Sequence, residues 1–544
     1  MIILKKNSFI EGTVIATLGI LLVKVIGILY VSPFYAIIGE HGGAIYGYGY
    51  NIYQLFLSIS SAGFPFAISK LTSEYNALGY KKAVKDTYEV SLKLISIIYI
   101  IIFLILFLFA PQIGHSILGK SATVHDYQEV GFVIRCVSFA ILVVPFLSVT
   151  RGFLQGNKYI EPYSVSQVIE QVVRVAIILI GSFTMVKILH LPLKYAVGCA
   201  VSAAFFGGLV AYIYLRKKIK QANLLPKEMK EDKRNISRKD IIRKIFIYSG
   251  PFILISLVNN LYNTVDMFLL NNTMKDILHL GQGVIDSISG TYTTWGIKLN
   301  NIVLAVSTGL VTSLIPNIVD AFTRKDMDDL NDKFNKAIQC VLLVIVPMTI
   351  FMSLMAKPIW TLFYGKSLYG PVVYQYFVYT ALFGGVYTIF VNTLQGMNKY
   401  KLVVTTVLIG LFTNAILDVP LMLLFYRMGM NVSYGAITAA IIGYTLSIFV
   451  SLLVLSKKYQ FSFLPTLKKI PNYIFSWIIF IVVIVLLKLI VPTNLDGRFV
   501  NIFVLAVYGI ISFLVYIFVS DKNGNIERVF GDRVGNILKK VLKR

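Results

Sequence analysis

The sequence predicts an all-α polytopic membrane protein of about fourteen transmembrane helices: two parallel-related six-helix lobes and a C-terminal helix pair. Three observations lead there: an apolar composition, a series of apolar windows of bilayer length, and sequence echoes between the two halves. Of 544 residues, 57% are hydrophobic and 14% charged, with a mean hydropathy of +0.75. Soluble domains run at about 45–50% apolar and about 25% charged, so water could not solvate a surface of this composition and lipid can.

An N-terminal lobe is expected over 1–215, with windows at 10–38, 46–72, 88–110, 128–150, 160–185 and 194–215. The first window is too long for the apolar core of a signal peptide and lacks a small-residue cleavage site, so it reads as the first span. Residues 216–244 are polar and strongly basic and form a linker. A C-terminal lobe at 245–456 holds windows at 245–271, 291–319, 337–356, 372–393, 402–426 and 434–455. Two more windows, 472–491 and 499–519, fall within 457–520. The tail, 521–544, places Ile526, Val529, Phe530, Val534, Ile537, Leu538, Val541 and Leu542 on one helical face opposite basic residues, a pattern suited to lying on a membrane surface.

Charge fixes the orientation. With the N-terminus inside, the inner connections and tail carry 36 Lys and Arg and the outer connections 8; this positive-inside bias puts both termini in the cytoplasm of a bacterial cell membrane. The net charge of +25 therefore suits anionic lipid headgroups and not nucleic acid. Cys136, Cys199 and Cys340 all fall in apolar windows and form no metal-binding pair. His41, His115, His125, His190 and His279 are scattered over outer loops.

Leu154-Gln-Gly-Asn-Lys-Tyr159 recurs as Leu394-Gln-Gly-Met-Asn-Lys-Tyr400, Ala110–Lys120 is echoed by Ala356–Lys366, and Gly63 by Gly309. Six helices per repeat make the repeats parallel, an arrangement that transporters use to frame a substrate cavity. No phosphate-binding loop, zinc-protease or hydrolase motif is present, so transport is expected rather than catalysis.

Charges inside the membrane cost about 2.5–3.5 kcal/mol each on insertion scales, so they should face a cavity or a partner. Lys24 lies in the middle of the first span. Glu170 and Arg174, four apart, share a face of the fifth, either as an intrahelical pair or as a polar wall. Arg135 and Lys298 sit in outer parts of the fourth and eighth. Such cations would attract an anion, and for a lipid-facing transporter a polyprenyl diphosphate fits. Asp266, Asn414, Asp418 and Thr438 are hard oxygen donors suited to sodium, although interhelical hydrogen bonding explains them as well.

The chain resembles the MurJ/YtgP branch of the multidrug/oligosaccharidyl-lipid/polysaccharide (MOP) exporters, a group that includes the lipid II flippases and the stage V sporulation protein B group. Ser60-Ser-Ala-Gly-Phe-Pro-Phe-Ala-Ile-Ser-Lys70, Arg151-Gly-Phe-Leu-Gln-Gly156 and Ser166-Gln-Val-Ile-Glu-Gln-Val-Val-Arg-Val175 carry the resemblance over essentially the whole chain. It implies a MOP/MATE-like fold and alternating access around a cationic cavity. The cargo would be lipid II, an undecaprenyl-diphosphate-linked peptidoglycan precursor, and the working unit a monomer. Lys24 matches the basic residue of the family's first helix, and Lys298 falls near a cavity arginine of the eighth. A second basic residue of the first helix is absent, with Tyr30-Val-Ser-Pro33 in its place, and the second helix has Leu57 and Ser58 where some members have arginine. Asp266, Asn414, Asp418 and Thr438 match the spacing of a sodium site, which implies Na+ as coupling or structural ion. Flippases for capsule, teichoic or spore cortex precursors, and a cation-coupled drug exporter, are the alternatives.

Overall fold

The computed structural model describes residues 15, 19, 22–225, 236–493 and 497–530, with side chains for all of these except 61–62, 308, 310–316 and 530. Every described element is helical. Twelve helices among the described residues are long and apolar enough to cross a membrane. The expected first window, 10–38, lies partly outside these residues; 22–29 is helical (α1). It leads directly into α2, Val31–Ala77, which bends at Gly39 (φ 65°). The loop expected between the first two windows is therefore a bend within one helix, tolerated because glycine adopts positive φ without a Cβ penalty.

Then follow α3 Lys81–Leu108, α4 Ala110–Leu118, α5 Val124–Gly156, α6 Ile160–Phe183, α7 Leu193–Gln221, α8 Arg238–Asn272 and α9 Gln282–Gly290. The second half of the order is α10 Gly296–Thr323, α11 Met327–Cys340, α12 Val346–Leu354, α13 Ala356–Tyr364, α14 Gly370–Gly396, α15 Tyr400–Arg427 and α16 Ser433–Tyr459. It closes with α17 Leu464–Leu467, α18 Ile470–Ile490, α19 Arg498–Lys522 and α20 Asn525–Phe530. The window at 291–319 begins in a π-helical turn, Thr291–Trp295, that runs on into α10. Of the expected surface tail, α20 is seen, with Arg528 Nε donating to Gln339 Oε1 at 2.8 Å; positions 531–544 lie outside the described residues.

The sequence echoes are echoes of structure. Leu154–Tyr159 and Leu394–Tyr400 both end a helix the same way, with a left-handed residue four places after the leucine, Lys158 (φ 66°) and Asn398 (φ 58°). The next amide bonds back to the leucine carbonyl at 2.9 Å in both, a C-terminal cap that satisfies orphan carbonyls. In the other pair, Gly119 and Gly365 stop α4 and α13 at φ 91° and 82°. A further echo was not expected from the repeats. Thr184-Met-Val-Lys-Ile-Leu-His-Leu191 and Thr273-Met-Lys-Asp-Ile-Leu-His-Leu280 both form a five-residue π-turn followed by a left-handed histidine, His190 (φ 50°) and His279 (φ 51°).

By packing, the chain forms two compact units, Met1–Thr294 and Trp295–Arg544. Thus α8, the helix expected to open the second repeat, packs with the first unit; the repeat boundary is a property of sequence and the unit boundary one of contact. In the first unit α2 is central, and small residues bring its neighbours close, as interfaces in lipid require. A Cβ on Gly63 would stand 2.7 Å from the Ser249 carbonyl oxygen of α8, one on Gly152 2.6 Å from that of Pro65, and one on Gly156 2.6 Å from that of Ser69. Ser148 Oγ donates to the Ser60 carbonyl at 2.7 Å. The two sequence motifs Ser60–Lys70 and Arg151–Gly156 therefore fit together as one α2–α5 seam.

In the second unit, α15 and α16 make the tightest hairpin. A Cβ on Gly435 would overlap the Met422 backbone, and one on Gly443 would lie 2.7 Å from the Gly410 carbonyl oxygen. The π-turn Val341–Ile345 leaves carbonyls without helical partners. Trp477 Nε1 donates to Leu342 O (3.1 Å) and the Tyr516 hydroxyl to Leu343 O (2.7 Å), so α18 and α19 satisfy them.

Candidate functional site

In the first unit the polar face of α6 carries the densest buried charge. Glu170 Oε1 accepts from Arg174 at 2.6 Å and its Oε2 from Arg151, on α5, at 2.9 Å. All three side chains are 14–16% exposed. Arg151 Nε also donates to Ser166 Oγ at 3.0 Å. The carboxylate thus bridges two guanidiniums with charge-assisted bonds and neutralises one of them, leaving the triad with a formal charge of +1. Glu170 and Arg174 form the intrahelical pair that their spacing allows, and Arg151 joins it from α5. Arg151 was not foreseen as a member; its place at an inner helix end disguised it as an ordinary cytoplasmic basic residue.

The triad faces an aromatic row on α2. Tyr46, Tyr50 and Tyr53 lie within electrostatic reach of Arg174. Tyr46 stacks on Tyr50 (centroids 5.3 Å apart, planes at 14°), and Tyr50 meets Tyr53 at 5.9 Å. Gln54 Nε2 donates to the Tyr50 hydroxyl at 2.9 Å. The helix 22–29 runs beside α6, since a Cβ on Gly27 would stand 3.4 Å from Gln171 Nε2; Lys24, half-buried, rises from that helix. Arg135 is placed differently. It is exposed, its Nε donates to Phe107 O at 3.3 Å, and its guanidinium lies 5.8 Å from the Phe107 ring centroid.

Asp266 is 3% exposed and accepts from the Tyr292 hydroxyl at 2.7 Å. Close to it in sequence, the Asn271 side-chain oxygen accepts from Tyr48 at 2.8 Å and from Ser289 at 2.7 Å. At one end of the same unit, His41 bridges two carboxylates, Asp286 at 2.8 Å and Glu129 at 3.5 Å. Scattered positions in the sequence gave no sign of this group.

In the second unit, Asn414 and Asp418 are fully buried on one face of α15. Thr438, half-buried on α16, donates to the Tyr434 carbonyl at 2.7 Å, and its hydroxyl is 3.1 Å from that of Tyr376. Lys298 is half-buried near the start of α10. Among the described residues no group of three or more His, Cys, Asp or Glu side chains could hold a metal ion; an amide–carboxylate–hydroxyl set such as this one is a different donor class. Buried oxygen donors in lipid suit either a small hard cation or interhelical hydrogen bonds.

A family profile described as "Polysaccharide biosynthesis protein" matches residues 9–322. Among curated proteins, "Lipid II flippase MurJ" of Bacillus subtilis (strain 168) is 31% identical over 546 aligned residues, covering 98% of this chain and 99% of that protein. "Stage V sporulation protein B" of the same organism is 22% identical over 66% of this chain and 68% of its own length. Among solved structures, a lipid II flippase MurJ in an inward closed conformation superposes with a TM-score of 0.66 at 15% identity, over 98% of this chain and 100% of that one. An inward-facing MATE-family multidrug transporter of the MOP superfamily gives 0.64 at 14% identity, over 79% of this chain and 93% of that one.

Proposed function

We propose that this chain, which belongs to the MurJ/YtgP branch of the MOP exporters, carries lipid II from the inner to the outer leaflet of the cytoplasmic membrane by alternating access. The full-length likeness to a protein described as a lipid II flippase carries the reading. The chemistry of the first unit supports it. Lys24 and the net-positive Arg151–Glu170–Arg174 triad offer cations to a diphosphate, and half-buried Tyr50, backed by the buried Tyr46 and Tyr53, offers a ring face to a sugar. No catalytic step is needed; transport of an anionic headgroup requires only that these groups meet it in one state better than in the other. Arg135, exposed on the unit's surface, suits a lipid phosphate better than the cavity role expected of it. Sodium held by Asn414, Asp418 and Thr438 is the proposed coupling or structural ion; Asp266, expected with them, lies in the first unit, where it accepts from Tyr292. The chain would act as a monomer with both termini in the cytoplasm.

The likeness to stage V sporulation protein B favours one second reading, a related polyprenyl-linked glycan of the spore cortex. Depleting the resident flippase of a bacterial host, supplying this gene and measuring surface-exposed lipid II decides between them. Wild type should restore exposure, Lys24→Arg should restore part of it, and Lys24→Ala none at equal membrane levels. Full restoration by Lys24→Ala would remove the lysine from the diphosphate site. No restoration by wild type would remove lipid II as the cargo.

A further inference from the structure

We propose that His41 is a charge latch: a doubly partnered imidazolium that fastens α2 to α5 and α9 at the outer end of the first unit, and that must release Asp286 before these elements can part. Nδ1 stands 2.8 Å from Asp286 Oδ2, and Nε2 stands 3.5 Å from Glu129 Oε2. Carboxylate oxygens only accept, and a neutral imidazole carries a single N–H. An imidazole facing one carboxylate on each side therefore takes the form with a proton on both nitrogens. The two acids are shielded, at 11% and 13% exposure, while the histidine is 45% exposed. Without the cation between them they would be a partly desolvated like-charge pair, which is unfavourable.

The partners are held in place from behind. Gln282 Nε2 donates to the other Asp286 oxygen at 2.8 Å, and Lys275 Nζ donates to Gln282 Oε1 at 2.6 Å and pairs with Asp126 of α5 at 3.5 Å. The Asp276 carboxylate accepts from the backbone amides of Lys120 and Ser121 at 2.7 and 2.8 Å, tying the loop before α5 to the end of α8. Below the histidine the same seam closes through neutral bonds. Thr294 Oγ1 donates to Gly43 O at 2.8 Å, and Asn51 Nδ2 to Thr293 O at 3.3 Å. Along the α2–α9 seam itself the ionic contact is the one water reaches, with His41 45% exposed, and the neutral contacts of Thr293 and Thr294 are buried. That order makes His41 the contact whose release admits water to the rest of the seam.

The latch rests on the alternating-access reading for the motion it restrains, so its test reads access and not export. In a background with Cys136, Cys199 and Cys340 replaced by alanine, Thr293→Cys places a thiol against Gly47 in the seam. A membrane-impermeant maleimide added to whole cells should label it slowly. His41→Gln should raise the labelling rate by about fivefold, Asp286→Asn should act alike, and the double variant should add little to either. His41→Lys, which keeps a cation between the acids, should return the rate toward that of the parent. Equal labelling of parent and both single variants overturns the latch, as does strict additivity of the two. Failed lipid II export with the labelling shift intact instead overturns the cargo and leaves the latch standing.

Discussion

Glu170 is the test of whether the α5–α6 charge cluster is built as one unit. Substituting Gln keeps the shape of the side chain and removes its charge, leaving Arg151 and Arg174 on either side of a neutral amide. Both guanidiniums are 14–16% exposed, so water screens them poorly. Removing one partner of a buried pair costs about 3–5 kcal/mol, and the residual exposure places Glu170→Gln near the lower limit, about 3 kcal/mol. Arg151→Met is milder, because Glu170 keeps Arg174; the lost bond to a charged group is worth about 1.5 kcal/mol. At about 2 °C per kcal/mol for a unit of this size, melting of the purified protein in nanodiscs should fall by about 6 °C and about 3 °C. The double variant Glu170→Gln/Arg151→Met should lose less than the sum, since one surplus charge leaves with the arginine. Glu170→Gln melting within a degree of wild type, or additive losses, would refute the argument that the three charges act together.

Two further outcomes follow from the second unit and its contrast with the first. Sodium at fixed ionic strength should raise the melting temperature where potassium does not, and Asp418→Ala should erase the difference; identical responses of both proteins would reduce Asn414, Asp418 and Thr438 to a hydrogen-bond cluster. Gly435→Ala should destabilise by about 3 kcal/mol, the upper end for overpacking, because its methyl meets the Met422 backbone rather than a movable side chain. Gly250→Ala on α8, where a Cβ meets nothing within 4 Å, should melt within about 1 °C of wild type. Equal effects of the two alanines would show that the α15–α16 contact is looser than described.

The helices were legible because lipid leaves the chain no choice: a span must be a long apolar helix. The pairing of Glu170 with Arg174 was legible for a similar reason, a spacing of four on one helix. Arg151 was not, because its side chain reaches Glu170 across the turn between α5 and α6, and no periodicity links the two. His41, Glu129 and Asp286 sit on three elements whose adjacency is a product of packing alone. The division at Thr294 was hidden for the same reason, since the repeats describe how the sequence is built and the contacts describe what α8 touches. The twin Thr-Met…Ile-Leu-His-Leu turns escaped because they do not share the spacing of the other echoes.

The length of α2 has a mechanical consequence. Beyond its bend at Gly39, residues 40–77 at 1.5 Å per residue make a rod of about 57 Å, nearly twice the hydrocarbon thickness of about 30 Å. Contacts on α8 grip it near both ends, through Tyr48 and Asn271 at one and Glu74 and Lys244 at the other, with Gly63 in close touch between them. Such a rod is a seesaw. A tilt of about 10° about its middle swings each tip by about 5 Å in opposite directions, enough to break a salt bridge at one end while pressing the other shut. Pro65 lies inside the rod and removes one backbone hydrogen bond, but Gly39 is the residue of α2 with non-helical φ and ψ; a rod that stays straight through Pro65 would keep its two ends from opening together by leverage.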